Sequence, residues 1–336
     1  MLNSNERRID WIDECKGLAI ILVVFGHCWS KEISVFQWIN SFHLTIFFII
    51  AGYLMINKNT GFSKEIVMKK IRRLLIPYFI FSFLLLLVLS ILKMLGGMTV
   101  STLIIEETKA ILGFRANMST WFLACIFMSE SICLIILKIT KGKIYLHIFF
   151  DLLCIATVFC IDISAGGIFV LRRTLLGVLW LEIGQLFFVF HKKDYSLSWS
   201  MIAVVFISSI ILSAYNENVN VMVMNFGKNK MTFFVIGVLS SITIMELFRK
   251  CNKRNQMLIY YGTHSMEILC THTFIIEGVR LIDYKLLGGL ISNKINFEGY
   301  ILTAIVLLLE IPVIWILNTY FPWSIGKQSK QIRLNN

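Results

Sequence analysis

Lys16 and His27 are the residues of this 336-residue chain whose types and spacing first suggest chemistry. They are separated by close to three whole turns of an α-helix, so one helical face would carry a cation and, about 16 Å further along, an imidazole. An imidazole titrates near neutral pH and can accept a proton from a hydroxyl, whereas a lysine there only supplies charge. Because ionisable groups inside a membrane are costly, we favour His27 as a general base over the alternative of a packing histidine bonded to a neighbouring helix.

The composition predicts that membrane helices position these residues. The chain is 57% hydrophobic, has a mean hydropathy of +0.76 and contains only three prolines, which is typical of an all-α, polytopic membrane protein. The net charge of +12 resides mainly in short loops between apolar runs, so it does not indicate nucleic-acid binding. Eight cysteines without a CxxC pair are interpreted as packing residues rather than as disulfides or metal ligands.

About ten transmembrane helices are predicted within a single domain, residues 1–336, whose short polar tail is 326–336. Most lysines and arginines fall in alternate loops, which predicts that both termini are cytoplasmic. The predicted segments are 11–30, 35–56, 73–95, 119–138, 144–162, 168–190, 197–214, 231–248, 257–281 and 299–320.

Two further features could join the first segment in one site. His43 lies about two turns below the outer start of the second segment, so it would meet His27 at a similar depth, although it could equally satisfy a neighbouring helix. Arg72 and Arg73 open the third segment, where cations usually only determine topology. The alternative is that these two guanidinium groups bind phosphates of a nucleotide-bearing donor.

Other polar residues in apolar segments are interpreted as structural. Asp151, Glu182 and Glu246 are each expected to pair with an internal partner, and His147 lies near the cytoplasmic boundary, where histidine is ordinary. The ninth segment is dense in histidine and glutamate, but the spacing does not give a three-ligand helical face, so no metal site is predicted. Two arginines near the outer end of the sixth segment, at 172 and 173, would contact an acidic glycan or extend to lipid headgroups.

Five motifs, in order, resemble those of the integral-membrane acyltransferase family 3. The first is the spacing from Lys16 to His27, with Asp13, Gly17 and Gly26 around it. The others are FHLTIFFIIAGYL, in which Ala51 stands where the family has serine; RRLLIPY; the Trp121-Phe-Leu triplet; and YGTHSMEILCTH, which contains Ser265 and His272. Without the resemblance, Trp121 would be assigned only an anchoring role at the membrane surface.

The resemblance implies a bacterial O-acetyltransferase, similar to membrane fucose 4-O-acetylase-like proteins, in the plasma or inner membrane. Such a protein would transfer an acetyl group from cytoplasmic acetyl-CoA to a hydroxyl of a cell-surface carbohydrate or lipid-linked glycan, such as a capsule or O-antigen. Acetyl-CoA would be the donor substrate, with no bound cofactor. The implied site has His27, His43 and His272 as catalytic residues, and Lys16, Asp13, Arg72, Arg73 and Trp121 as substrate-binding residues.

A different class of protein explains the same buried charges. A secondary transporter or flippase for a glycan-related or acidic small substrate would use them as a proton and substrate pathway. The sequence shows no internal repeat and no pair of helices broken by glycine or proline, which favours the acyltransferase. A structural subunit or sensor would leave Lys16 and His27 unexplained.

Overall fold

The computed structural model describes residues 8–29, 34–57, 63–97, 99–116, 119–161, 166–286, 288–290 and 298–327. Within these ranges the chain forms helices and no β-strand, apart from an isolated antiparallel bridge between Asn220 and Asn225. The predicted all-α class is therefore confirmed. The α-helices are α1 (Asp10–Cys28), α2 (Ser34–Phe42), α3 (Thr45–Asn57), α4 (Lys64–Lys70), α5 (Ile76–Leu95), α6 (Ser101–Leu112), α7 (Trp121–Thr140), α8 (Ile144–Cys160), α9 (Gly166–Lys192), α10 (Trp199–Asn216), α11 (Lys230–Lys250), α12 (Gln256–Thr263), α13 (Ser265–Leu286) and α14 (Glu298–Tyr320).

Seven helical spans of the described residues are long and apolar enough to cross a membrane. A π-helix (Ile71–Leu75) joins α4 to α5, so that one span runs through all three. Each of the seven overlaps a predicted segment, so hydropathy located them correctly. They are Phe36–Ile56, Lys64–Met94, Trp121–Thr140, Gly166–Lys192, Trp199–Asn216, Lys230–Lys250 and Gly299–Tyr320.

The other three predicted segments differ from simple spanning helices, and the count of about ten is not confirmed. The first, α1, carries Asp10, Asp13, Glu14 and Lys16 within its first two turns, and α8 has only 17 residues. The ninth, 257–281, is divided at His264 into α12 and α13, just as the second, 35–56, is divided at His43 and Leu44 into α2 and α3. The predicted location of the termini stays a prediction, since residues 1–7 and 328–336 of the chain ends lie outside the described ranges.

Two pairs of helices approach each other at glycines. A Cβ atom added at Gly17 of α1 would overlap the Leu258 carbonyl oxygen of α12, and one added at Gly262 of α12 would overlap the backbone of α1. Gly52 of α3 and Gly184 of α9 meet the partner backbone in the same way. Small residues allow such close packing in membranes, where helix association depends on van der Waals contact rather than on the hydrophobic effect. The contact with α12, together with α13 and α14, fixes the position of α1.

Candidate active site

His27 and His272 lie next to each other, on different helices. Their ring centroids are 5.1 Å apart, with an angle of 50° between the ring planes. His27 is in the last turn of α1 and is exposed, whereas His272, in the second turn of α13, is completely buried. An exposed imidazole thus lies beside a second imidazole that solvent does not reach.

The two ring nitrogens of His272 have different surroundings. Nδ1 lies 2.8 Å from the Ile268 carbonyl oxygen, one turn earlier in α13, and a carbonyl can only accept a hydrogen bond. Nδ1 therefore carries the proton, which leaves a lone pair on Nε2. Nε2 is buried and has no hydrogen-bond partner among the described residues. A buried acceptor without a partner is unfavourable and is a feature of sites that bind or move a proton.

His43 occupies the break between α2 and α3 rather than the middle of a helix. Its Nδ1 lies 2.8 Å from the Ile39 carbonyl oxygen, so Nδ1 donates a hydrogen bond and Nε2 is the nitrogen with the lone pair. His27 is close enough to interact electrostatically with both His43 and His272. Two of the three predicted catalytic histidines, His43 and His272, thus lie near the third, His27; we call this group the histidine end of α1.

Polar and aromatic side chains border the histidine end. Arg280 of α13 donates a hydrogen bond to the His27 carbonyl oxygen at 3.1 Å and forms an ion pair with Glu277 at 3.3 Å. The rings of Trp29 and Tyr300 meet edge to face with centroids 5.0 Å apart, and Tyr300 is exposed. Charged groups beside exposed aromatic rings can contact a polar molecule and its apolar faces together.

The opposite end of α1 carries a group of cations. Lys16 forms an ion pair with Asp13, one turn away on the same helix, with 3.3 Å between Nζ and the carboxylate oxygen. Arg8 and Arg73 both act electrostatically on Lys16, and both are exposed. Because the buried Asp13 neutralises only one of three positive charges, this group, which we call the cation end, can attract an anion.

The π-helix brings Arg73 to the cation end. Arg72 and Arg73 are both exposed within it, while Leu74 between them and α5 is buried. Gly326, after the short 3-10 helix Pro322–Ile325, packs against the backbone of both arginines: a Cβ added there would lie 2.5 Å from the Arg72 carbonyl oxygen. The predicted substrate-binding residues Lys16, Asp13 and Arg73 are thus brought together, and Arg72 lies beside them in the same turn.

Trp121 has different surroundings from those predicted. It is 5% exposed, and the Arg173 guanidinium lies 4.4 Å from its ring centroid. Arg173 also donates hydrogen bonds to the carbonyl oxygens of Phe114 and Met222. Arg172 is as deeply buried, at 2% exposed, and donates to a carbonyl of α8. The expectation that these arginines extend to headgroups or to an acidic glycan is wrong, because backbone carbonyls hold both inside the protein.

The sequence analysis missed several buried ionic contacts near α1 and α13. Glu14 is buried, forms an ion pair with Arg254 at 3.0 Å and accepts a hydrogen bond from the Asn255 backbone, which fixes the start of α12 against α1. Glu267, one turn before Thr271 on α13, forms an ion pair with Lys327 at 2.7 Å. The partners are distant in sequence, so no local pattern signals them.

A second internal contact braces α13 from behind. The Thr271 hydroxyl donates to the carboxylate of Glu310, which is completely buried in α14. Thr271 immediately precedes His272, so this contact fixes the position of the histidine.

A cavity of about 110 Å³ lies between α5 and α6. Its lining includes Ser82, Leu103 and Glu107 but none of the predicted site residues.

Fold and site together define an all-helical membrane protein with a histidine pair at one end of α1 and a cation group at the other. The family model of the acyltransferase domain matches residues 9–326, nearly the whole chain, and the chain belongs to the acyltransferase 3 family. The resemblance carried by the five motifs is therefore confirmed. No curated protein and no solved structure matches the chain. Family and apolar helices together indicate a membrane acyltransferase.

Proposed function

We propose that this chain transfers an acetyl group from acetyl-CoA to a hydroxyl of a cell-surface carbohydrate or lipid-linked glycan. The observation that carries the proposal is the placement of the histidine pair and the cation group at the two ends of one unbroken helix, α1. The eleven residues from Lys16 to His27 rise about 16 Å, roughly half the apolar thickness of a bilayer. A donor whose phosphates bind at the cation end would extend its thioester toward the histidine end.

The chemistry assigned to the histidine end is general base catalysis. The acceptor O–H gives its proton to the imidazole of His27 as its oxygen bonds to the acetyl carbonyl carbon. The C–S bond then breaks, and the departing thiolate of CoA receives that proton. His272 supports the step, because its ring centroid lies 5.1 Å from that of His27, on which the imidazolium forms, and its Nε2 keeps a lone pair that no described residue occupies. His43 is a second nearby acceptor for a proton.

The acceptor class is proposed from the surroundings of His27. Arg280, Glu277, Trp29 and the exposed Tyr300 offer charged hydrogen-bonding groups and aromatic faces together, which suits a carbohydrate with its hydroxyls and apolar ring faces. We further propose that the chain resides in a bacterial plasma membrane with both termini cytoplasmic. The basic loops of the sequence support this orientation, with the donor side at the cation end.

Membranes that contain wild-type protein or His27→Ala, supplied with radiolabelled acetyl-CoA and the surface glycan of the host, test the proposal. We expect label in base-labile esters with wild type and none above background with His27→Ala at equal protein level. His191→Ala is the matched control: this histidine lies near the end of α9 and bonds to the Tyr53 hydroxyl. Transfer by His27→Ala at the wild-type rate contradicts the role of His27.

The same assay separates the acyltransferase from the transporter alternative. Folded wild-type protein that neither binds acetyl-CoA nor forms labelled esters, yet moves a glycan-related substrate across the membrane, favours a transporter. Ester formation that depends on acetyl-CoA excludes pure transport.

A further inference from the structure

A second group of ionisable side chains lies on α8 and α9, outside the histidine and cation ends. It consists of His147 and Asp151, one turn apart on α8, and Glu182 on α9. One ligand atom from each side chain lies within 4.8 Å of the other two, and His147 Nε2 is 3.4 Å from Glu182 Oε1. Among the described residues, these three side chains are the group whose ligand atoms lie close enough together to hold a metal ion.

Two buried oxygen atoms of this group have no hydrogen-bond partner among the described residues, although the Asp151 and Glu182 side chains lie within hydrogen-bond reach of each other. Glu182 is 8% exposed, and its Oε1 atom has no hydrogen-bond partner among the described residues, although it faces His147. Asp151 Oδ1 is also buried without such a partner. Two carboxylates this close repel each other when both are ionised, and each unpaired oxygen is costly in an apolar environment. A cation between them removes both penalties.

The structure assigns a divalent transition-metal site, with zinc as its probe, to His147, Asp151 and Glu182. One imidazole nitrogen and two carboxylate oxygens are ligands that Zn²⁺ accepts readily, and a fourth, open position takes water. Two carboxylates balance the charge of a divalent ion. A site with an imidazole ligand disfavours Mg²⁺ and Ca²⁺, because these ions prefer oxygen ligands alone.

The site would add to the contacts that attach α8 to the rest of the protein. Cys154 and Val158 of α8 are buried and Phe150 and Phe159 pack partly against the core, while other apolar side chains of α8, such as Phe149 and Leu152, are exposed. A metal ion with two ligands on α8 and one on α9 fastens α8 to a helix that is itself deeply buried. This link between α8 and α9 does not depend on the proposed acetyl transfer.

The test uses full-length, tag-free protein in detergent, dialysed against zinc and passed through a gel-filtration column, with zinc measured by mass spectrometry. We expect about one zinc ion per chain for wild type, and a loss of at least about tenfold in occupancy for Asp151→Asn and Glu182→Gln. The matched control is Glu310→Gln, a buried carboxylate on another helix, which should keep zinc. Wild type with less than about a tenth of an ion per chain overturns the site and shows that the group shares a proton instead.

A measurement on wild type alone keeps the test valid if a variant fails to fold. X-ray absorption of the zinc-loaded protein should show only nitrogen and oxygen ligands at about 2.0–2.1 Å, including one imidazole. Zinc bound through sulfur would place it at cysteines and overturn the assignment. Zinc retained at full occupancy by both Asp151→Asn and Glu182→Gln overturns it as well.

Discussion

The two ring nitrogens of His272 have different surroundings, and a substitution can separate their contributions. An asparagine amide reaches about as far as Nδ1, so His272→Asn can keep the hydrogen bond to Ile268 while it removes the Nε2 lone pair. We expect the variant to fold with an unfolding midpoint near that of wild type, while acetyl transfer falls by at least about 100-fold. If His272→Asn transferred acetyl groups at the wild-type rate, His272 would have only a packing role.

Trp121 is a residue whose substrate-binding role, predicted from the family motif, competes with a structural one. Its ring covers the Arg173 guanidinium at 4.4 Å, and Arg173 donates hydrogen bonds to the carbonyl oxygens of Phe114 and Met222. We expect Trp121→Ala to lower the free energy of unfolding by about 3–5 kcal/mol, because a buried aromatic ring and a cation–π contact are lost together. The change is measured by thermal unfolding in detergent, in which gel filtration after heating gives the fraction of protein that stays folded at each temperature.

The variant Trp121→Phe distinguishes the two roles, because phenylalanine keeps a ring over Arg173 and loses only the indole nitrogen and area. A structural role predicts a small loss of stability and an unchanged KM for acetyl-CoA. A raised KM at unchanged stability would instead place substrate at Trp121.

Among the helices, the contact of α1 with α12 is the one that a single methyl group would most disturb. We expect Gly17→Ala to reduce the free energy of unfolding by about 1–3 kcal/mol or more, because its Cβ overlaps a backbone carbonyl that cannot rotate away. Gly26→Ala is the matched control on the same helix, since its Cβ would lie 3.8 Å from the Phe36 ring, an ordinary contact. Equal midpoints of thermal unfolding for the two variants, measured by gel filtration after heating, would show that α12 can move away from α1 to make room for the methyl group.

The helices also show how far the sequence predicts this fold. Hydropathy alone locates seven spans, because each needs about 20 apolar residues whatever its neighbours are. It misses the breaks at His43 and His264, since each lies inside a segment that hydropathy predicts as continuous. The structure places His27 beside His272, and Arg73 near Lys16, which are residues that the resemblance assigns to one site. The resemblance did not predict the burial of Arg173 or the contact of Glu14 with Arg254, because each depends on carbonyls or charges that only the fold brings close.

Across the whole molecule, the cation end and the histidine end lie at opposite ends of α1, so the proposed mechanism separates the donor phosphates from the reacting hydroxyl. Arg73 lies beside Lys16, and Asp13 neutralises only one charge there. We expect Arg73→Ala to raise the KM for acetyl-CoA about tenfold, equal to about 1.4 kcal/mol, with kcat unchanged. Acetyl-pantetheine, which lacks the nucleotide phosphates, should show no such change. Lys93→Ala, at the opposite end of the same span, is the control, and an equal rise in KM for both donors would contradict phosphate binding at Arg73.

Because the cation end and the histidine end are separated, we predict that donor and acceptor bind from opposite sides of the membrane. Acetyl-CoA does not cross a bilayer unaided because of its charge, so it should serve only from the side that carries Arg8, Lys16 and Arg73. Inverted vesicles with labelled acetyl-CoA outside and glycan inside should therefore form base-labile esters, whereas right-side-out vesicles with both substrates outside should not. Equal labelling in the two preparations would mean that donor and acceptor reach His27 from one side. The cations at the far end of α1 would then serve only to orient the helix in the membrane.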